Sequence, residues 1–254
     1  MKIQVLGCSA VELPNANLTS FLVDDRLLLD AGTIGSVLDE MEQWKIRYVL
    51  LTHAHLDHIK DLPFLADNIA INRKKHHVTV VSIAEVNKAL KQNLLNDILW
   101  PDFTRIPTSD KPIIRLKNIR PGKSFTIDSY NITAIKVNHP VPAVSYLVED
   151  RKGTRLLYNG DAGPSNTVWK SLDKKVHGLI IEVSLPNRFK TMALKTGHLT
   201  PKLLVSELAK MKYMPDMIFI THCKARYRNK IREELKMLNM VNIQILKDGV
   251  RLRI

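Results

Sequence analysis

The stretch 51-LTHAHLDHIKDL-62 sets His53, His55, Asp57 and His58 within six positions, directly after the apolar run "YVLLT" (48–52). The chain has nine histidines in 254 residues, so three of them beside a carboxylate form an unusual concentration. The run reads as a strand ending at Thr52, with the motif in the following loop and a helix beginning at Ile59. Alternate side chains of an extended segment share a side, which puts His53 and His55 together. Asp57 and His58 then turn with the chain toward a second position, so the spacing offers two ligand sets. Neutral imidazoles and a carboxylate suit zinc, and also manganese or iron. Read instead as an ordinary polar loop, the motif would need a separate hydrogen-bond partner for every ring.

One loop cannot surround an ion. Three other stretches end an apolar run on a ligand-type residue: "KVNHPVPAV" at His139, "LLYNGDAGP" at Asp161 and "MIFITHC" at His222. Taken singly, each reads better as a capping Asp or a satisfied core His. Beside the opening motif they become the expected remaining ligands. Around these positions, strands are expected at 3–7, 20–23, 26–30, 48–52, 77–81, 124–127, 130–137, 144–149, 154–160, 177–184, 216–222, 241–247 and 250–254. Helices are expected at 34–43, 59–72, 83–96, 166–173, 200–211 and 225–238. Thr200 with Pro201 marks a helix start. In the last helix Tyr227, Ile231, Leu235 and Leu238 share a face that should pack on a core. Lys224, Arg228, Arg232 and Lys236 line a neighbouring, solvated face. Hairpin signals at 20–30, turning on "VDD", and at 144–160, turning on "EDRKG", argue against a wholly parallel sheet. The pattern fits two mixed sheets packed face to face with helices outside. No Pro/Gly/Ser-rich linker divides the chain, so residues 1–254 are expected to form one domain.

The set "THAHLDH", His139, "NGDAGP" and "FITHC" resembles the metallo-β-lactamase superfamily, from the first strand to His222. The resemblance implies a four-layer αββα sandwich with a two-metal centre. It implies that His53, His55 and His139 bind one metal, that Asp57, His58 and His222 bind the other, and that Asp161 bridges them. The series "GCSAVELPNANLTSFLVDDRLLLDAGT", "HAHLDHI", "YNGDAGP", "IIEVSLPN" and "GHLTPKLL" is similar to the class II cyclic-nucleotide phosphodiesterases. Leu56, in "HLDH", tilts the reading that way; Asp61 departs from it, standing where that group usually has glycine. His198 in "TGHLT" resembles the histidine that phosphodiesterase members place beside the leaving oxygen, and Glu182 the acid that orients it. A ribose alkoxide leaves poorly, so a general acid there should contribute about 10²–10⁴-fold. The expected reaction is attack on 3′,5′-cyclic AMP by a hydroxide held between two metals, oriented by Asp161, with His198 protonating the departing oxygen to give 5′-AMP. Asn17, Thr19, Asn159 and Arg188 stand in motif positions where they would line the substrate pocket or cap turns, and Lys224 is a phosphate-contact candidate.

Composition narrows the setting. Hydrophobic residues make up 45% and charged residues 25%, enough for a sizeable core. No apolar run approaches the ~20 residues that span a bilayer. The opening "MKIQVLGCSA" is too short in its apolar run for a signal peptide and meets Glu12 and "PNAN" at once, so it reads as a strand. Two cysteines, Cys8 and Cys223, make no disulfide framework, and a reducing, cytoplasmic compartment is the simplest expectation. The net charge of +13 favours anionic partners, a nucleotide first and nucleic acid second, although host bias would also produce it. A homodimer is compatible with the sequence. Three rival readings remain. A ribonuclease Z-like RNA-processing endonuclease suits the charge and the His198/Glu182 pair, but no long Gly/Pro-rich arm for gripping tRNA is evident. A non-catalytic nucleotide sensor would not need all seven ligands. A lactonase or thioesterase would not need Glu182 and His198.

Overall fold

The computed structural model describes residues 1–71 and 76–254. Six strands come first: β1 (Lys2–Gly7), β2 (Ser20–Val23), β3 (Leu27–Leu29), β4 (Tyr48–Leu50), β5 (Val78–Ile83) and β6 (Ile114–Ile119). Seven follow: β7 (Ser124–Ile127), β8 (Tyr130–Lys136), β9 (Val144–Glu149), β10 (Arg155–Tyr158), β11 (Gly178–Glu182), β12 (Met217–Thr221) and β13 (Ile243–Ile245). The last, β14 (Arg251–Arg253), returns to pair with β1. Two seven-stranded mixed sheets result, ordered β14-β1-β2-β3-β4-β5-β6 and β13-β12-β11-β10-β9-β8-β7. Helices α1 (Glu40–Gln43), α2 (Leu56–Ile59), α3 (Leu62–Ala70) and α4 (Ala84–Asn93) belong to the first half of the chain. Helices α5 (Thr167–Lys170), α6 (Lys190–Thr196), α7 (Pro201–Leu208) and α8 (Arg228–Lys236) belong to the second.

The layers follow from the apolar pattern. One core joins the facing sides of the sheets, through Phe21, Leu29 and Leu50 from the first and Ala134, Tyr146 and Tyr158 from the second, and continues on the outer side of the first sheet under α3 and α4. A second core joins the outer side of the second sheet (Leu157, Leu179, Ile181, Ile220) to Leu204 of α7 and to Ile231 and Leu235 of α8. Tyr227 and Leu238 pack against that core from its edge, as the spacing of the last helix requires. The architecture is the αββα sandwich expected from the sequence. Val23 pairs with Leu27, and the first hairpin turns between them through the left-handed Asp24 (φ 45°) and Asp25 (φ 62°), with Arg26 N donating to Val23 O (3.1 Å).

Several elements differ from expectation. Only residues 40–43 of the 34–43 helix are helical, because an Asp39–Glu42 capping box restarts the helix there. The helix expected over 59–72 begins earlier, with Asp57 and His58 already inside α2, so the motif is not wholly a loop. It then breaks before α3, since the Pro63 ring would strike the carbonyl of Ile59 in a continuous helix. Residue 72 of that expectation lies outside the described residues. Strand β6 and helix α6 are not among the expected elements. The first is a polar edge strand and the second buries only Ala193, so neither carries a strong hydropathy signal.

Candidate metal centre

Parallel pairing aligns the strand ends that carry the polar residues. In the first sheet Leu29 pairs with Leu50, so Asp30 and the Thr52–His53 step leave the same edge. In the second, Tyr158 pairs with Ile180, and Glu182 with Thr221. Asp161, Glu182 and His222 therefore leave neighbouring carboxyl ends, the usual place for a ligand beside parallel strands. Two backbone bonds tie the sheets together here, Val144 N to Thr52 O (3.0 Å) and His222 N to Cys8 O (2.8 Å). His222 itself takes φ 59°. Gly160 (φ 59°) lets the chain pass over Thr52, whose Cγ2 would lie 2.8 Å from a Cβ at that position.

All seven residues singled out as ligands converge. His53 Nε2 lies 3.0 Å from His55 Nδ1, which lies 3.3 Å from His139 Nε2. Ligand atoms of a tetrahedral ion with ~2.0–2.1 Å bonds stand at about this separation. A second group comprises Asp57, His58, Asp161 and His222. There His222 Nε2 lies 3.1 Å from Asp57 Oδ2 and 3.3 Å from Asp161 Oδ2. His58 Nε2 lies 3.5 Å from Asp161 Oδ2, and His53 Nε2 lies 4.0 Å from that same oxygen. Asp161 thus faces both groups.

The outward nitrogens fix the tautomers. His58 Nδ1–H donates to Asp30 Oδ2 (2.7 Å) and His53 Nδ1–H to Thr52 Oγ1 (3.0 Å). His139 Nδ1–H donates to the Gly197 carbonyl (3.2 Å) and His222 Nδ1–H to Ser184 Oγ (2.9 Å). Each leaves an Nε2 lone pair turned inward, the arrangement expected around a metal. His58 Nε2 is buried and has no hydrogen-bond partner among the described residues. Three imidazole nitrogens converge at 3.0–3.3 Å, beside a carboxylate that also faces the second group. The donor set therefore fits divalent ions, which this fold implies.

Charge states agree for the three-histidine group and for Asp161, whereas His58 favours its charged form. Burial holds His53 well below the ordinary histidine pKa, and lowers His55 and His139 also, which keeps these rings neutral. Burial opposes the charge of Asp161, but His222 and His58 more than offset it and hold the carboxyl well below its usual range. Burial likewise opposes the charge of His58, and Asp161 and Asp30 outweigh it.

Sequence reasoning assigned no role to Asp30, Thr52, Tyr158 or Ser184. Asp30 is fully buried at φ 55° and accepts from Thr52 N (2.7 Å), Thr52 Oγ1 (2.8 Å), His58 Nδ1 (2.7 Å) and Tyr158 OH (2.5 Å). An aspartate directly after the apolar run "RLLL" was the available signal. Asp61 is now explained: its Oδ2 accepts from Ile34 N (2.6 Å) and Gly35 N (3.0 Å).

His198 stands over the centre, 5.6 Å ring to ring from His139 and 5.5 Å from His222. Its Nδ1–H donates to Glu182 Oε1 (2.8 Å), and the other carboxylate oxygen accepts from Ser184 Oγ (2.7 Å). Burial lowers the His198 pKa, but Glu182 raises it further, so the ring sits above the ordinary value. Gly197 (φ 68°) aims it: a Cβ there would lie 2.6 Å from Pro140 Cδ. Lys224 lies near enough to His198 to disfavour its charge. Arg188 is exposed, with its guanidinium 4.8 Å from the Phe189 ring centre. Asn17, Thr19 and Asn159 spend their side chains on the fold: Asn17 Nδ2 donates to Leu6 O, Thr19 Oγ1 to Ser9 O, and Asn159 Oδ1 accepts from Ser145 Oγ.

Residues 26–223 match the family described as Beta-lactamase superfamily domain. The 3′,5′-cyclic-nucleotide phosphodiesterase 1 of Saccharomyces cerevisiae is 25% identical over 224 residues, covering 74% of this chain and 60% of the relative. A ribonuclease Z of Clostridium kluyveri is 26% identical over 190 residues, covering 68% of this chain and 58% of the relative. The chain thus spans about three fifths of the length of these curated relatives. The crystal structure of unliganded yeast PDE1 superposes with a TM-score of 0.82 over 100% of this chain and 99% of that one, at 19% identity. With the family matched over most of its length and its fold reproduced, the chain belongs to the metallo-β-lactamase superfamily.

Proposed function

We propose that the chain hydrolyses 3′,5′-cyclic nucleotides, cyclic AMP first among them, to 5′-nucleoside monophosphates. The observation that carries this reading is the Glu182–His198 pair, 2.8 Å apart and poised over the centre. Hydrolysis with a good leaving group needs no such acid, whereas release of a ribose oxygen does. His53, His55 and His139 would hold one divalent ion and Asp57, His58 and His222 a second, with Asp161 shared. Zinc suits the donors best, and manganese or iron is compatible. Bound ions supply positive charge for the phosphate oxygens and make water a better nucleophile.

The protein's own groups do the rest. Asp161, kept ionised, orients the attacking water and accepts its proton. His198, kept protonated by Glu182, delivers a proton from Nε2 to the departing 3′ oxygen. Ser184 links that carboxylate to His222, so the acid and the candidate ligand are held by one chain of hydrogen bonds. Lys224, beside His198, would offer a cation to an anionic substrate, and Arg188 is assigned the same role. No helix among the described residues is long and apolar enough to cross a membrane.

A ribonuclease Z-like activity is the second reading, favoured by the Clostridium relative and the net charge of +13. The test is turnover by protein loaded with zinc or manganese, offered 3′,5′-cyclic AMP, 3′,5′-cyclic GMP, 2′,3′-cyclic AMP, a tRNA precursor and a lactone. Cleavage of the tRNA precursor alone would refute the leading reading. His198→Ala should lose far more rate on cyclic AMP than on a diester with a nitrophenol leaving group; equal losses would remove the acid role.

A further inference from the structure

A recess of about 250 Å³ opens beside His55, between the start of α4 and the β8–β9 connection. Its walls are apolar, Val86 and Ala89 on one side and Val141 and Pro142 on the other. His55 belongs to both the recess and the three-histidine cluster: its Nδ1 faces His53 and His139, which leaves the outer edge of the ring for the recess. Glu85, exposed in the first turn of α4, is the one carboxylate on the lining.

We propose that this recess is the pocket for the substrate's nucleobase, and that Glu85 accepts a hydrogen bond from the exocyclic amino group of that base. The proposal rests on the reading that the centre cleaves a nucleotide phosphodiester. A phosphate seated at the histidine cluster leaves its base one ribose away, so the base must lie against a wall bordering the cluster. The recess borders it through His55 and presents opposed apolar faces suited to a flat heterocycle. Its size is below the ~300–1,000 Å³ of pockets for larger ligands and matches one ring system. An ionised carboxylate only accepts hydrogen bonds, so Glu85 selects a base that offers an N–H donor. Ala89 matters by being small, since any large side chain there would fill the slot.

The test compares binding and turnover by metal-loaded protein. Wild type should bind 5′-AMP about tenfold or more tighter than ribose 5-phosphate, the scale on which one buried base contributes. In Ala89→Trp that ratio should collapse toward one. Its kcat/KM on cyclic AMP should fall about tenfold relative to that on the abasic 1-deoxyribose 3′,5′-cyclic phosphate. Glu85→Ala should abolish the preference for 5′-AMP over purine riboside 5′-monophosphate, which lacks the amino group. Wild-type ratios in both variants would overturn the pocket. The binding ratios decide this even if no cyclic nucleotide is turned over, a result that would overturn the proposed reaction separately.

Discussion

Asp30→Asn isolates the group that reaches both halves of the centre. The substitution changes little else, because asparagine tolerates the left-handed backbone that Asp30 adopts at φ 55°. Oδ1 of Asp30 takes the Thr52 amide, while Oδ2 takes the hydroxyls of Thr52 and Tyr158 and the Nδ1–H of His58. The hydroxyls can rotate to suit an amide. The Thr52 amide and the His58 Nδ1–H cannot. Whichever way the new carboxamide lies, one of those fixed donors meets an NH₂ group. If Thr52 is the loser, a buried amide is orphaned, at a cost of about 1–3 kcal/mol. If His58 is the loser, its proton moves to Nε2, the nitrogen turned toward Asp161. Loss of such an outer partner lowers metal affinity by about 10–100-fold, or about 1.4–2.8 kcal/mol. A competition titration against a chromophoric chelator reads the affinity, and a thermal melt without metal reads the fold. The expected result is weaker binding of one or both ions and a lower melting temperature. Wild-type affinity for two ions would refute the role of Asp30 in orienting His58.

Three shorter predictions follow from other contacts. Glu182 raises the His198 pKa, so the protonated ring persists to higher pH; Glu182→Gln should therefore shift the alkaline limb of kcat on cyclic AMP to lower pH, and an unmoved profile would detach the carboxylate from the acid. Gly197→Ala should cost about 1–2 kcal/mol from its left-handed backbone alone, with further loss from a Cβ 2.6 Å from Pro140 Cδ, read as a lower denaturation midpoint together with weakened metal binding through His139. Ile231→Ala, in the core under α8, should cost about 2–5 kcal/mol and leave the number of bound ions unchanged, as measured by elemental analysis of the folded fraction.

Legibility in the sequence tracked burial. Strands buried on one or both faces, such as "YVLLT" and "GLIIEV", announce themselves by apolar runs, and so did the residues that follow them. Strand β6 did not, because its exposed Arg115, Lys117 and Asn118 dilute the pattern while six residues pair in register with β5. Helix α6 contributes a single buried side chain and exists largely to deliver Gly197 and His198, a geometric task without a hydropathy signature. The seven candidate ligands were legible as residue types at strand ends. Their outer partners were not, since Tyr158 reaches Asp30 across 128 positions and only the fold brings them together.

Asp61 shows how far local reading can go and where it stops. A glycine at this position would satisfy the backbone, and the sequence alone offers no reason for a carboxylate. In the fold, the turn carrying Asp57 and His58 is laced to the segment that carries Asp30: Ala31 N donates to His58 O (2.7 Å) and Asp61 N donates to Ala31 O (2.9 Å). The Asp61 carboxylate extends the lacing to the amides of Ile34 and Gly35. Ile34 is fully buried, so without that acceptor its amide would need another partner out of reach of water. Asp61 therefore stabilises the loop that positions Asp30, which in turn orients His58, and a residue that looked like a departure from pattern belongs to the support of the centre.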